Sequence, residues 1–147
     1  MRIVAVLLLY LAAASSDPMA GNWNADLRTS ILPEGFPQLR SQTMELRLVA
    51  GKLQCSTERV DLRGATTRAY FVAGFDGKRY PVTGIVDIAT VSLKRYTGFV
   101  EADFFSVTAP VFSYRLSISG DGKTLTVVSL DPKTRRLLRA RLVYRRA

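Results

Sequence analysis

Apolar and polar side chains take turns along most of this chain, in short runs cut by residue pairs that contain glycine. Alternation with a period of two places every second side chain on the same face, the pattern of a strand with one buried side. A two-residue hairpin loop fixes the register of the strands it joins, so each glycine pair can be tested by the side chains it brings together. Ala50-Gly51 as a loop sets Leu48 opposite Leu53 and Leu46 opposite Cys55. Thr97-Gly98 sets Leu93 opposite Ala102 and Val91 opposite Phe104; on the other face it matches Lys94 with Glu101, an opposite-charge pair. Asp121-Gly122 sets Ile118 opposite Leu125 and Leu116 opposite Val127. Asp76-Gly77 sets Phe75 opposite Lys78, Ala73 opposite Tyr80 and Phe71 opposite Val82. Pro81 has no N–H to donate and belongs on an edge, at a bulge or near a strand end. A last strand follows DPKTRR, with Leu138, Ala140, Leu142 and Tyr144 on one face and Arg139, Arg141 and Arg145 mostly on the other.

Four loops that each give a consistent apolar face predict eight to ten strands in simple up-and-down order. Strands with one apolar face must curl until that face is enclosed, as a barrel or a tight sandwich, and only a closed barrel removes the exposed edges. The expected fold is all-β: an up-and-down antiparallel β-barrel of eight to ten strands.

The first sixteen residues break the pattern. Arg2 precedes a run of apolar residues at positions 3–14, small residues follow at 12–16, and Asp17-Pro18 makes a turn. That is the anatomy of a secretory signal peptide, and the run is shorter than the roughly 20 apolar residues of a spanning helix. The expected organisation is a signal peptide over residues 1–16 and one barrel domain over 17–147, with a periplasmic or secreted product and no transmembrane segment in the mature chain.

Composition narrows the chemistry. The chain has no histidine, which removes histidine-dependent hydrolases, the usual zinc sites and the commonest general base. Cys55 is the only cysteine, so no intrachain disulfide can form, and it reads as a small buried side chain. GDGKT at residues 120–124 has the ending of a phosphate-binding P-loop. However, the motif needs glycine where Ser117 stands, and a helix where Leu125 to Val128 read as strand. Glu101 and Asp103 share a face, with Glu45 and Glu58 on other strands; they read as solvated outer charges near Lys94 and Arg47 rather than an acid–base pair. No cofactor and no metal site are expected. The chain carries a net charge of +9, and Lys133, Arg135, Arg136, Arg139, Arg141, Arg145 and Arg146 crowd its carboxyl end. This run reads as a solvated outer strand, with adhesion to an anionic envelope surface as the functional alternative. TRAYFVAGF, residues 67–75, mixes basic and stacking residues, but a nucleic-acid partner is not expected of an exported chain.

Gly21-Asn22-Trp23 resembles the Gly-x-Trp signature of lipocalins and their calycin relatives, and DGKRYPVTG, TVSLKR, SGDGKTLTV and the final VY resemble small exported bacterial proteins described as lipocalin-like. These are packing and turn residues: Gly21, Trp23, Asp76, Gly77, Asp121 and Gly122 would be structural. The resemblance implies that Trp23 closes one end of the barrel and that an arginine of the last strand lies across it, with Arg139, Arg141 and Arg145 as candidates. Being packing and turn residues, the shared motifs speak for the fold and are almost silent on function.

Phe71, Tyr80, Phe104, Phe112, Tyr114 and Leu116 would form the cavity wall, or equally fill a solid core, since a barrel this size can do either. The first expectation is a non-enzymatic exported barrel that binds a small apolar molecule. The second is a structural, envelope-associated protein with a solid core and a basic outer strand contacting anionic lipid or polysaccharide. An enzyme working with carboxylates ranks last.

Overall fold

Ten antiparallel strands, each hydrogen-bonded to the next along the chain, close into a barrel in the computed structural model, which describes residues 17–147. The expected signal peptide lies outside the described residues. The strands are β1 (Gly21–Ala25), β2 (Leu39–Val49), β3 (Lys52–Asp61), β4 (Thr66–Gly74), β5 (Asp76–Thr83), β6 (Thr90–Tyr96), β7 (Phe99–Phe105), β8 (Pro110–Ile118), β9 (Thr124–Leu130) and β10 (Leu137–Arg146). β1 pairs with both β2 and β10, which shuts the barrel. No helix among the described residues is long and apolar enough to cross a membrane.

Three of the glycine pairs act as the register test requires. Leu48 faces Leu53 and Leu46 faces Cys55; Leu93 faces Ala102 and Val91 faces Phe104; Ile118 faces Leu125 and Leu116 faces Val127. Ala50 and Gly51 both take positive φ, 52° and 77°, the backbone that a two-residue loop between right-twisted strands needs.

The fourth pair departs from expectation. Phe71 does face Val82, but the β4–β5 ladder ends there, and Asp76-Gly77 is not the loop. The chain turns at Phe75, and Asp76 opens β5 opposite Lys94 of β6, with the register slipping before Arg79. Gly77, at φ 76°, is therefore a bulge residue. Two local contacts favour this. The Asp76 carboxylate accepts hydrogen bonds from the Lys78 amide (3.1 Å) and the Tyr80 hydroxyl (2.7 Å). Tyr80 also leans over Gly74, where a Cβ would meet its oxygen at 2.7 Å, so the strands part before Ala73 and Tyr80 can pair.

The two ends of the barrel differ. At one lie the hairpin loops around Gly51, Gly98 and Gly122, and there Trp23 is fully buried, its indole against Arg146 and its N–H bonded to Met19. At the other, residues 26–38 run beside the opening and are fastened to β10. Ile31 and Arg141 exchange backbone hydrogen bonds at 2.8 Å, and the Ser30 hydroxyl accepts from the Val143 amide at 2.9 Å.

Candidate functional site: a cavity with one polar wall

The barrel is hollow. A cavity of about 710 Å³ runs inward from the end flanked by residues 26–38, within the several-hundred-Å³ range that holds small molecules. Its deep wall is aliphatic, built from inward positions of successive strands: Leu46, Leu53, Leu93, Val100, Leu116 and Val127. Midway, Phe104 is the hub of an aromatic group. Its ring centroid is 4.8 Å from Phe112 and 6.0 Å from both Phe71 and Tyr114. Ile31, Phe36, Ile85, Val86 and Leu138 line the mouth, and Val86 leaves 85 % of its surface in water.

Of the six wall residues expected from sequence, Phe71, Phe104, Phe112, Tyr114 and Leu116 line the cavity. Tyr80 does not. It stands toward the closed end, with Lys52 Nζ 5.4 Å from its ring, and the bond to Asp76 holds it there. Among the structural residues, Asp121 stabilises the β8–β9 turn by accepting from the Lys123 amide (3.0 Å) and the Ser119 hydroxyl (2.6 Å).

One stretch of wall is polar, and sequence reasoning passed over it. Gln42 of β2 faces Arg59 of β3. The Arg59 Nε donates to Gln42 Oε1 (3.0 Å), and Gln42 Nε2 donates to the Tyr144 hydroxyl (2.5 Å). The Phe36 ring lies against the Arg59 guanidinium, 4.4 Å away, and Tyr114 and Thr57 share the same cavity. The signal was available: the register that sets Leu46 opposite Cys55 also turns Gln42 and Arg59 inward. Polar residues at inward positions mark either a fault in the reading or a site.

Burial shapes the acid–base character of this wall. It pushes the Cys55 thiol up to about 11, against a weak contact with the Thr57 hydroxyl at 3.8 Å. It raises Tyr144, against the Gln42 hydrogen bond and the Arg59 charge, and raises Tyr114, again opposed by Arg59. The Arg59 guanidinium itself is drawn below its ordinary value by burial, with the two tyrosines acting the other way.

The closed end corrects one expectation. The arginine across Trp23 is none of Arg139, Arg141 and Arg145; it is Arg146. Arg146 stands directly opposite Trp23 in the β1–β10 ladder, whereas Arg145 faces Asn24 and reaches Asp26 at 3.5 Å. The parity that turns Leu142 and Tyr144 inward also turns Arg146 toward the tryptophan. Asp17 helps seal this end through an ion pair with Arg95. Partial burial acts to raise its carboxyl, but the Met19 amide and Arg95 outweigh that and hold it below the usual range.

The outer carboxylates are also less solvated than expected. Glu101 is only 8 % exposed, and its partners are arginines rather than Lys94: Arg135 at 2.8 Å and Arg115 at 3.2 Å. Arg135 also reaches Asp103 at 2.5 Å, and Ser113 donates to the same carboxylate at 2.6 Å. Glu45 and Glu58 pair with Arg47 and Arg68 on the outer face. Among the described residues, no group of three potential metal-ligating side chains comes together. Neither a protein-family model, nor a curated protein, nor a solved structure matches the chain.

Proposed function

We propose that this protein is an exported, non-enzymatic, lipocalin-like carrier that holds one small apolar molecule inside its barrel. The observation that carries the reading is the cavity: about 710 Å³, open at one end, with aliphatic and aromatic side chains on most of its wall. Empty apolar space costs stability, because its lining forgoes contacts that packing would supply. A cavity kept open therefore favours an occupant. The envelope-associated alternative draws less support, since three of the carboxyl-terminal arginines are engaged within the fold: Arg135 with Glu101 and Asp103, Arg145 with Asp26, and Arg146 with Trp23.

The test is titration with an environment-sensitive naphthylamine dye. Saturable binding with one site per barrel is expected, lost in Phe104→Arg, which places a charge in the aromatic group, and in Ala102→Trp, which fills the space. Circular dichroism of both variants distinguishes lost binding from lost folding. Absence of saturable binding by the wild type would remove this reading.

Export is part of the proposal. The mature product is expected to begin between Ser15 and Ala20, after the apolar run at residues 3–14. An intact Met1 on the protein recovered from the cell envelope, read by mass spectrometry, would defeat it.

A further inference from the structure

Arg59 is an anomaly for a wall whose only task is to hold an apolar molecule. Charged side chains are seldom buried without a partner of opposite sign, because leaving water is costly unless another charge compensates. Of the other arginines near the cavity or the seam, Arg135, Arg115 and Arg145 sit in ion pairs, while Arg141 also lines the cavity but is exposed at the rim. Arg59 is half-buried, lines the cavity, and forms no ion pair among the described residues. Its Nε is occupied by Gln42 and one face by Phe36. The two terminal nitrogens, the fork that suits a carboxylate, have no protein acceptor among the described residues.

Tyr114 is in the same condition. Its hydroxyl has no hydrogen-bond partner among the described residues, and the residue lines the same cavity as Arg59. Tyr144, by contrast, is satisfied by Gln42. An unpaired cation on β3 and an unpaired hydroxyl on β8, on opposite walls of the barrel, thus border the same chamber, which is otherwise mostly apolar. Their depth is informative as well. Arg59 stands opposite Thr67, toward the mouth and beneath Phe36, while the aliphatic wall lies further in.

Building on the carrier reading above, we infer that Arg59 and Tyr114 seat an anionic head group, so that the ligand is an amphiphile with a single carboxylate at the mouth and its apolar tail toward Trp23. Arg141, the other lining arginine that forms no ion pair among the described residues, is exposed at the rim, so a charge carried into the chamber meets Arg59. Gln42 is a positioning residue here, since its bond to Nε turns the guanidinium fork toward the cavity.

The experiment compares two probes of equal chain length, dodecanoate and dodecan-1-ol, each displacing the naphthylamine dye from the full mature chain. The wild type is expected to prefer dodecanoate by roughly tenfold to a hundredfold, the worth of a hydrogen-bonded charge pair. Arg59→Gln should abolish that preference, with the loss falling on dodecanoate far more than on dodecanol. Tyr114→Phe, which removes only a hydroxyl, should reduce the preference by about threefold to tenfold. Equal affinities for the two probes in the wild type would overturn the inference and leave the carrier standing. So would a loss of both probes in parallel in Arg59→Gln, which would make Arg59 a prop for Phe36. If neither probe displaces the dye, the inference fails and the dye site is not an amphiphile site. If the dye itself does not bind, the carrier reading falls first.

Discussion

The Arg146 guanidinium lies across the Trp23 indole, 4.2 Å from the ring, and donates to three backbone carbonyls: Gly122 (3.0 Å), Ala20 (2.8 Å) and Pro18 (2.7 Å). The indole N–H donates to the Met19 carbonyl at 3.0 Å. One planar cation thus ties the β8–β9 turn and the residues before β1 onto the tryptophan that seals the barrel.

Arg146→Ala should therefore destabilise the fold by roughly 1–3 kcal/mol, combining the cation–π contact with charge-assisted hydrogen bonds. Lysine at this position can stack but cannot reach three carbonyls as a fork, so Arg146→Lys should recover only part of the loss. Urea denaturation of the three proteins measures this. Dye binding at the far end should survive in the folded fraction of each.

Two glycines should be intolerant for different reasons. At Gly84, with φ at 90°, an added Cβ would sit 1.8 Å from the Arg68 carbonyl oxygen. Gly84→Ala should destabilise by roughly 2–5 kcal/mol, because strain and overlap combine. Gly77→Val, at the β5 bulge, should be destabilising by roughly 1–3 kcal/mol from backbone strain. Lys78→Ala should shift stability by no more than about 0.5 kcal/mol. Arg79→Ala should lose somewhat more, roughly 0.5–1 kcal/mol, since its guanidinium stacks 3.9 Å from the Phe105 ring. Thermal melts of the four variants rank them.

The Cys55 thiol gives the fold an alkaline limit. Burial raises it from 9.0 to about 11, so between those values the unfolded chain releases a proton that the folded chain keeps. The unfolded state then binds fewer protons, and stability falls as pH rises through that window, by about 3 kcal/mol in total for this group. Below pH 9 the contribution is fully present. Tyr144 and Tyr114, also raised by burial, add to the decline at its upper end. The difference in pH slope between wild type and Cys55→Ala isolates the thiol, and equal slopes would count against it.

Arg135 should matter more than a surface charge. Removing it leaves Glu101, nearly buried, with Arg115 alone, and Asp103 with Ser113. Arg135→Ala should cost roughly 1–3 kcal/mol, less than a fully buried pair because the arginine is partly in water. Combining it with Glu101→Gln and Asp103→Asn should restore part of the loss. A double-mutant cycle by denaturation reads the coupling.

What the alternation pattern could reveal was anything set by neighbouring strands. Leu46 with Cys55, Val91 with Phe104 and Leu116 with Val127 follow from a loop length and a period of two. Ten strands fall at the upper end of the expected number. What escaped depends on contacts that period two does not encode. The β5 bulge arises because a tyrosine hydroxyl finds Asp76 and the gap above Gly74. The shielding of Glu101 and Asp103 comes from Arg135, which precedes β10 and takes φ 61°, outside any strand alternation. The polar wall was legible, by contrast, since Gln42 and Arg59 share the inward parity of Leu46 and Cys55; a search for apolar faces alone passes over polar residues that lie on them.

The seam that shuts the barrel also orders its making in time. Nine of the ten ladders join strands that follow one another along the chain, so each hairpin can form as soon as its second arm exists. The tenth joins β1 to β10, and Arg146 reaches back 128 positions to Pro18. Contacts so distant in sequence carry the largest closure entropy and slow folding most. The strand that ends at Arg146 must be in place before Trp23 and Tyr144 can be covered. Until then the nascent protein is an open, curling ribbon rather than a vessel, and only completion of its last strand gives it an inside.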